Sequence, residues 1–236
     1  MKIGIMQPYF FPYVGYFSLI RATDFWVVFD EVQFIRHGWI ERNRVLNSAD
    51  GWQYIKVPLV KASRDTTIKD TKIRVDENWQ QTILAQLTCY KRKAPYYSQV
   101  IELLNHIFAI NHPDITSLNV AAIQGVCAYL DIPFRHEVYS KSGVNVAGQV
   151  TAPGEWALYI AKHYGAATYI NPYGGEEIFD KQKYRDHGIE IKFLKNNLVP
   201  YNQPRTPFEP GLSIVDVLMF NSAKETVNLI DNYQFI

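Results

Sequence analysis

Gln7, Tyr9 and Asp30 are the first residues of this chain whose chemistry asks for a use. Gln7 and Tyr9 follow a short apolar run, KIGIM, and Asp30 closes a second one, FWVVFD. Close behind stand Gln33, Arg36, His37, Trp39, Arg42, Asn43 and Arg44, a dense set of donors. Guanidinium forks match the oxygens of phosphate or carboxylate two at a time, so an anion is the ligand this set suits. Arg36, Trp39 and Asn43 are three and four apart, which places them on one face if WIERNR is helical. In the second half of the chain, YINPYGGEEIFD brings Asn171, Gly174 and Gly175 into a tight turn whose amides can face an anion or a carbonyl. Asp30, or Glu176 beside that turn, is the candidate to take a proton from an attacking amine. Two plainer readings stay open. A solvated amphipathic turn with Trp39 as its core anchor would carry the same residues at 36–44, and a simple strand-to-helix turn the same residues at 171–177.

These groups need elements to bring them together. KIGIMQ reads as a buried strand, GYFSLIRAT as a helix and DFWVVFD as a second buried strand. Strand, short crossover helix, strand is the opening of a parallel α/β sheet. Ligands of such sheets bind outside the carboxyl ends of the strands, where Gln7, Tyr9 and Asp30 then lie. WQYIKVPLV and TIKDTKIRVD look like strands that pair antiparallel. From Glu77 the period becomes helical, with three amphipathic helices over about 77–133. FRHEVY, ATYINP and IEIKFLK are strand candidates, GEWALYIAKHYGA a helix closed by Gly165, and Ser222 with Glu225 has capping-box spacing. No repeat or long linker divides the chain. We expect one α/β domain over 1–236, with a possible helical subdomain at about 77–133.

Composition narrows the functions. The formal net charge is +1, which argues against broad nucleic-acid binding but leaves room for a small basic pocket. Sixteen Tyr and thirteen Phe are the outlier, as in a protein that stacks on planar ligands or sugars or in one from an AT-biased proteome. Cys89 and Cys127 lie in apolar helix-like stretches and read as reduced, buried thiols. No secretory leader and no stretch of roughly 20 apolar residues is visible, so a cytoplasmic protein with no membrane insertion is expected. The phosphate-loop, dinucleotide, zincin and nucleophile-elbow motifs are missing. His106 and His112 read as solvated helix-end residues, so no metal site is expected.

IGIMQPYFFPYVGYFSLI, DFWVVFDEVQFIRHGWIERNR, APYY and FEPGLSIVDVLMFN resemble the WbqC-like proteins of bacteria, in patches that run from Met1 to about Asn221. The family pattern is matched here by Gln7, Pro8, Gly15, Tyr16, Asp30, Gln33, Trp39, Arg42, Asn43 and Arg44. The chain departs from it at Glu41, where the family often has Asn. The resemblance implies a place in O-antigen-type surface-polysaccharide synthesis and the attachment of amino-acid or acyl groups to sugars.

A more distant likeness concerns the first crossover. Its strand, PYFFPYVGYFSLI and second strand look like the start of pantothenate synthetase-type nucleotidyltransferases, whose H-x-G-H motif holds nucleotide phosphates. Tyr13, Val14, Gly15 and Tyr16 stand in that place. The likeness implies a Rossmann-like sheet core of HUP type, with Gly15 leaving room for a phosphate at the helix N-terminus. Phenols for imidazoles carry no positive charge near neutral pH, which weakens adenylyl transfer and leaves Tyr13 and Tyr16 as a wall for a base or sugar. The expected function is therefore an acyl or aminoacyl transferase or ligase that joins a nucleotide-linked amino sugar to an amino acid or acyl group. ATP and a pre-activated acyl donor are both open as the source of activation. A non-catalytic nucleotide-sugar binder and a nucleotidyltransferase are the alternatives.

Overall fold

The computed structural model describes residues 1–204 and 207–236. Its core begins as the sequence implies. β1 (Lys2–Met6), α1 (Val14–Ala22) and β2 (Phe25–Val28) form a parallel crossover, with Ile3 opposite Phe25 and Met6 opposite Val28. Ile3, Ile5, Val27 and Val28 are buried because helices cover both faces of a parallel sheet, so both faces of these strands must be apolar.

The connection that follows holds a two-stranded ribbon, β3 (Arg42–Leu46) and β4 (Trp52–Lys56), paired antiparallel with Arg42 opposite Lys56. Residues 42–44 of WIERNR are thus extended, and the expected helical face of Arg36, Trp39 and Asn43 does not form. In a strand the neighbours of Asn43 point away from it, which sends Asn43 inward and both arginines to the other side. WQYIK is β4 of this ribbon, and the expected antiparallel pairing of WQYIKVPLV with TIKDTKIRVD is limited to a bridge between Leu59 and Ile73, just beyond β4.

Three helices come next: α2 (Trp79–Gln86), α3 (Tyr97–Ala109) and α4 (Ile115–Tyr129). Asp114 caps α4, accepting from the Ser117 amide at 2.8 Å. β5 (His136–Val138), α5 (Glu155–His163), β6 (Thr168–Pro172), α6 (Lys181–Asp186) and β7 (Glu190–Asn196) complete the parallel layer. α7 (Ile214–Phe220), α8 (Ala223–Ile230) and a short edge strand, β8 (Tyr233–Phe235), close the chain. The Ser222–Glu225 capping box opens α8 as expected. The sequence pattern did not reveal β8, which runs antiparallel to β7.

Across the sheet the order is β5-β2-β1-β6-β7-β8, five strands parallel and the last reversed. With the ribbon set aside, that order is 3-2-1-4-5-6, a Rossmann-like arrangement whose winding reverses between β1 and β6. One buried cluster joins β1 and β2 to α5 and α6 through Val27, Leu158, Ile160 and Tyr184. A larger one joins α1 to α2–α4 and α7 on the opposite face, through Phe17, Trp26, Leu104, Ile123 and Leu218. The three helices of 77–133 share that cluster with the aromatic residues of the first crossover. No helix among the described residues is long and apolar enough to cross a membrane.

Candidate functional site

Where the winding reverses, the carboxyl ends of β1 and β6 open onto a cleft with two halves. Met6, Tyr9 and Pro172 line both, so they form the seam. One half, about 570 Å³, is lined by Tyr13, Trp39, Asn43, Arg44 and Gly174. The other, about 720 Å³, is lined by Gln7, Phe29, Trp156, Tyr169, Asn171 and Phe179 among others. Two side walls form the cleft: the loop after β1, residues 7–13, and the 3-10 turn after β6, Tyr173–Ile178.

The loop after β1 is held by its carbonyls. The Tyr16 hydroxyl donates to Gln7 at 2.9 Å and the Asn119 amide to Pro8 at 2.8 Å. Asn43 Nδ2 donates to both Phe10 and Phe11, at 3.0 and 2.8 Å, and the Ser213 hydroxyl also donates to Phe11, at 2.7 Å. Phe11 needs these ties, because its φ of +40° lies in a region that non-glycine residues rarely adopt. Of the six rings crowded into this crossover, Phe10, Phe11, Tyr16 and Phe17 are buried in the core. Only Tyr9 and Tyr13 are left to face a ligand. Burial raises the pKa of both phenols, so both keep their protons near neutral pH and act as donors.

The helix N-terminus is not free for a phosphate. A Cβ at Gly15 would lie 2.5 Å from the ring of Tyr13, so the space glycine leaves is filled by that ring. The hydroxyl of Tyr16, in the position of the second imidazole of H-x-G-H, is spent on the Gln7 carbonyl. Tyr16 is 1 % exposed and touches the cleft as a packed floor, not as a donor.

Arg44 is the cation of this half. Its guanidinium lies 5.6 Å from the Trp39 ring and 5.2 Å from the Trp52 ring, within cation–π range of both. One nitrogen donates to the Gly211 carbonyl at 3.2 Å. Behind it, the Arg44 carbonyl accepts from the Ser213 amide at 2.8 Å. The Tyr90 hydroxyl accepts from the Leu46 amide at 2.7 Å and donates to Asp216, which also accepts from Tyr201 and Gln203. Burial pushes the Asp216 carboxyl up to about 6, against the opposing effect of these donors. Asp216 stands in the first turn of α7 and is the centre of a buried network under the Arg44 strand.

Several predicted residues lie elsewhere. Asp30 is 1 % exposed and turns to the end of β5, where it accepts from the Ser140 amide at 3.0 Å and hydroxyl at 2.7 Å. Burial raises its pKa, and the Ser140 bonds oppose that shift. Gln33 donates to the Arg64 carbonyl and Arg36 to the Ala62 carbonyl, tying the 30s segment to a surface loop. Arg42 lies over the Tyr54 ring at 3.9 Å and donates to the His37 carbonyl. Glu41, at the position where the sequence departs from the family pattern, is buried and accepts from the His37 amide at 3.1 Å. Glu176 pairs with Lys181 on the surface, while its neighbours Gly174 and Gly175 line the cleft. Asn171 accepts from the Tyr169 hydroxyl at 2.7 Å and donates to the Pro172 carbonyl, which shapes the turn. No group of three or more His, Cys, Asp or Glu able to hold a metal occurs among the described residues.

Of the lining of the second half, the sequence pointed to Gln7, Tyr9, Asn171 and Gly175 but not to its other aromatic side chains. Phe29 and Trp156 approach at 5.3 Å between ring centres, and Tyr169 and Phe179 at 5.7 Å. Its roof is the segment before α5, held where the Thr151 amide donates to Glu155 at 2.7 Å. Glu155 pairs in turn with Lys183, and that partner holds its carboxyl down at about 2. A Cβ at Gly154 would meet the Ile178 carbonyl at 2.2 Å, so this roof and the turn after β6 touch through a residue that must lack a side chain. The signal that could have found this half was GEWAL, a helix start with an apolar face directed at the strand ends.

Comparison with known proteins agrees with the opening motif. The profile of the WbqC-like protein family matches residues 7–228. An uncharacterized protein of Mycobacterium tuberculosis, Rv1507c, is 26 % identical over 227 residues, which are 95 % of each chain. No solved structure matches the chain.

Proposed function

The chain belongs to the WbqC-like protein family, and on that premise we propose that it works in bacterial surface-polysaccharide precursor synthesis. It binds a nucleotide-linked amino sugar in the switch-point cleft, where the sugar's amine attacks the carbonyl of an activated acyl or aminoacyl donor, the C–N bond replacing the bond to the activating group, which leaves with the amine's proton. The observation that carries this reading is Arg44, a cation set between Trp39 and Trp52 beside the phenol of Tyr13. A diphosphate suits the guanidinium fork, and a base or sugar ring suits the aromatic faces. The Gly174 backbone lies across from Arg44 and lets a ligand approach closely.

Activation before binding fits better than an adenylate step at α1. The Tyr13 ring fills the space over Gly15 where a nucleotidyltransferase would hold phosphate. Gln7, whose side-chain amide makes no hydrogen bond among the described residues, lines the second half beside the seam residue Met6 and offers a donor to an acyl carbonyl. A non-catalytic binder is the second reading. It is favoured by Asp30 and Glu176, the two proton acceptors, both of which have partners and lie outside the cleft lining.

The test is a thermal-shift screen against UDP-, GDP-, CDP- and dTDP-linked amino sugars, followed by mass-spectrometric search for an acylated product. A ligand at a hundredfold its Kd adds about 2.7 kcal/mol, a rise of roughly 5 °C or more for a chain of this size. The expected outcome is a shift that Arg44→Ala removes. Absence of any shift rejects the nucleotide-sugar reading. Binding without product under an acyl-donor panel selects the non-catalytic one.

A further inference from the structure

The two halves of the cleft differ in charge, and the difference specifies a second ligand. Arg44 serves one half. No charged side chain lines the other among the described residues. Its lining includes the rings of Phe29, Trp156 and Phe179, with Tyr169 packed beneath them, and the ionised Glu155 and Lys183 behind its roof are turned to each other. An ion placed against those rings would give up part of its hydration with no countercharge to replace it. An uncharged, flat or branched apolar group would instead exchange water for ring faces. At about 720 Å³ the space is in the range of small-molecule sites.

We propose that the Phe29–Trp156 half is the acyl subsite, and that it takes an uncharged apolar or aromatic acyl group with its carbonyl toward the Gln7 amide. The inference rests on the reading of the Arg44 half as the amino-sugar nucleotide site, since it names what that sugar would receive. The two halves share Met6, Tyr9 and Pro172, so ligands filling both would meet there, with Gln7 on the acyl side of that seam. With no charged lining side chain among the described residues, this half disfavours donors whose acyl part bears a second carboxylate or an ammonium, which narrows the proposed donor from acyl or aminoacyl to acyl alone.

The probes are N-acetylcysteamine thioesters carrying benzoyl, butanoyl or succinyl groups, titrated calorimetrically into the full chain. The benzoyl and butanoyl probes should bind, with the succinyl probe weaker by about tenfold or more. Trp156→Ala removes one wall. Ala152→Glu, at an exposed rim position, adds a carboxylate without disturbing the core. Each should weaken the benzoyl probe by about tenfold, and Ala152→Glu keeps the test valid should Trp156→Ala fold poorly. Equal binding of succinyl and benzoyl probes overturns the inference, as does benzoyl binding indifferent to both substitutions. A parallel titration with an amino-sugar nucleotide separates the two readings. If the nucleotide binds and the acyl preference is missing, only the acyl subsite is lost. If the acyl preference is present and no nucleotide sugar binds, the subsite stands and the reading of the Arg44 half is rejected.

Discussion

The two walls of the cleft are built in opposite ways. The loop after β1 has its carbonyls from Gln7 to Pro12 engaged by Tyr16, Asn119, Asn43, Ser213 and the Ile214 amide, apart from that of Tyr9. Its backbone even tolerates a positive φ at Phe11. The turn after β6 is a single stretch of 3-10 helix with a surface ion pair, Glu176 with Lys181, and a tight contact at Gly154. The lesson is that one wall is fixed by buried hydrogen bonds to distant parts of the chain, while the other is held by a surface ion pair and by packing against Gly154 and Lys195.

That contrast can be broken most forcefully at Asn43. Asn43→Ala leaves the Phe10 carbonyl without a partner and Phe11 with only Ser213, which should cost roughly 4 kcal/mol. The melting temperature should fall by about 8 °C or more, read by calorimetry. A loss under ~1 kcal/mol would mean that the first wall is not pinned as described.

Next in size is the acid beneath that wall. The folded pKa of Asp216, about 6, lies above its ordinary value of 3.8, so the fold favours the protonated form. The associated stability is fully present below about pH 4 and is lost as pH rises through about 6, a change of about 3 kcal/mol. Asp216→Asn does not titrate and should flatten the urea midpoint over this window. Glu155 has the opposite sign: its stabilisation is present above its ordinary pKa of 4.5 and is lost as pH falls toward about 2. An unaltered pH profile in Asp216→Asn would remove Asp216 from the support of the Arg44 strand.

Gly15→Ala should be milder in stability, about 1 kcal/mol, because the clash falls on the movable end of the Tyr13 ring. Its effect belongs in binding: the displaced ring enters the Arg44 half, and the added substitution Tyr13→Ala should restore space there. A double-mutant cycle on nucleotide-sugar affinity measures that coupling. Smallest of all, Glu176→Ala should change stability by less than ~0.5 kcal/mol, since its pair with Lys181 is a surface one. A larger loss would show the second wall to be as firmly held as the first.

Much of the sheet was legible. β1, α1 and β2 announce themselves by apolar runs around a Pro-Gly connection, and Ser222–Glu225 marks α8 by local capping chemistry. β3 was hidden because two arginines at alternate positions look like a charged loop, and the ring faces that accept them, Trp39, Trp52 and Tyr54, are known only from the pairing. β8 is three residues on an edge, too short for a period. At the site, Gln7, Tyr9, Tyr13, Trp39, Asn43, Arg44, Asn171, Gly174 and Gly175 were brought to the cleft. The use of Asn119 and Ser213 was invisible, since a hydrogen bond across 111 or 202 residues leaves no trace in a local pattern. Tyr16 lines the cleft as expected, but its hydroxyl is taken by the Gln7 carbonyl.

The bond from Ser213 to the Phe11 carbonyl also orders events in time. During synthesis the N-terminal crossover leaves the ribosome long before residue 213 exists, so its left-handed residue waits with Asn43 alone to hold it. The cleft acquires its final contour only when α7 docks, because a chain interrupted before residue 213 lacks the hydroxyl that holds the Phe11 carbonyl. Long-range closures of this kind slow folding, and here they make ligand binding a late report on the completeness of the chain.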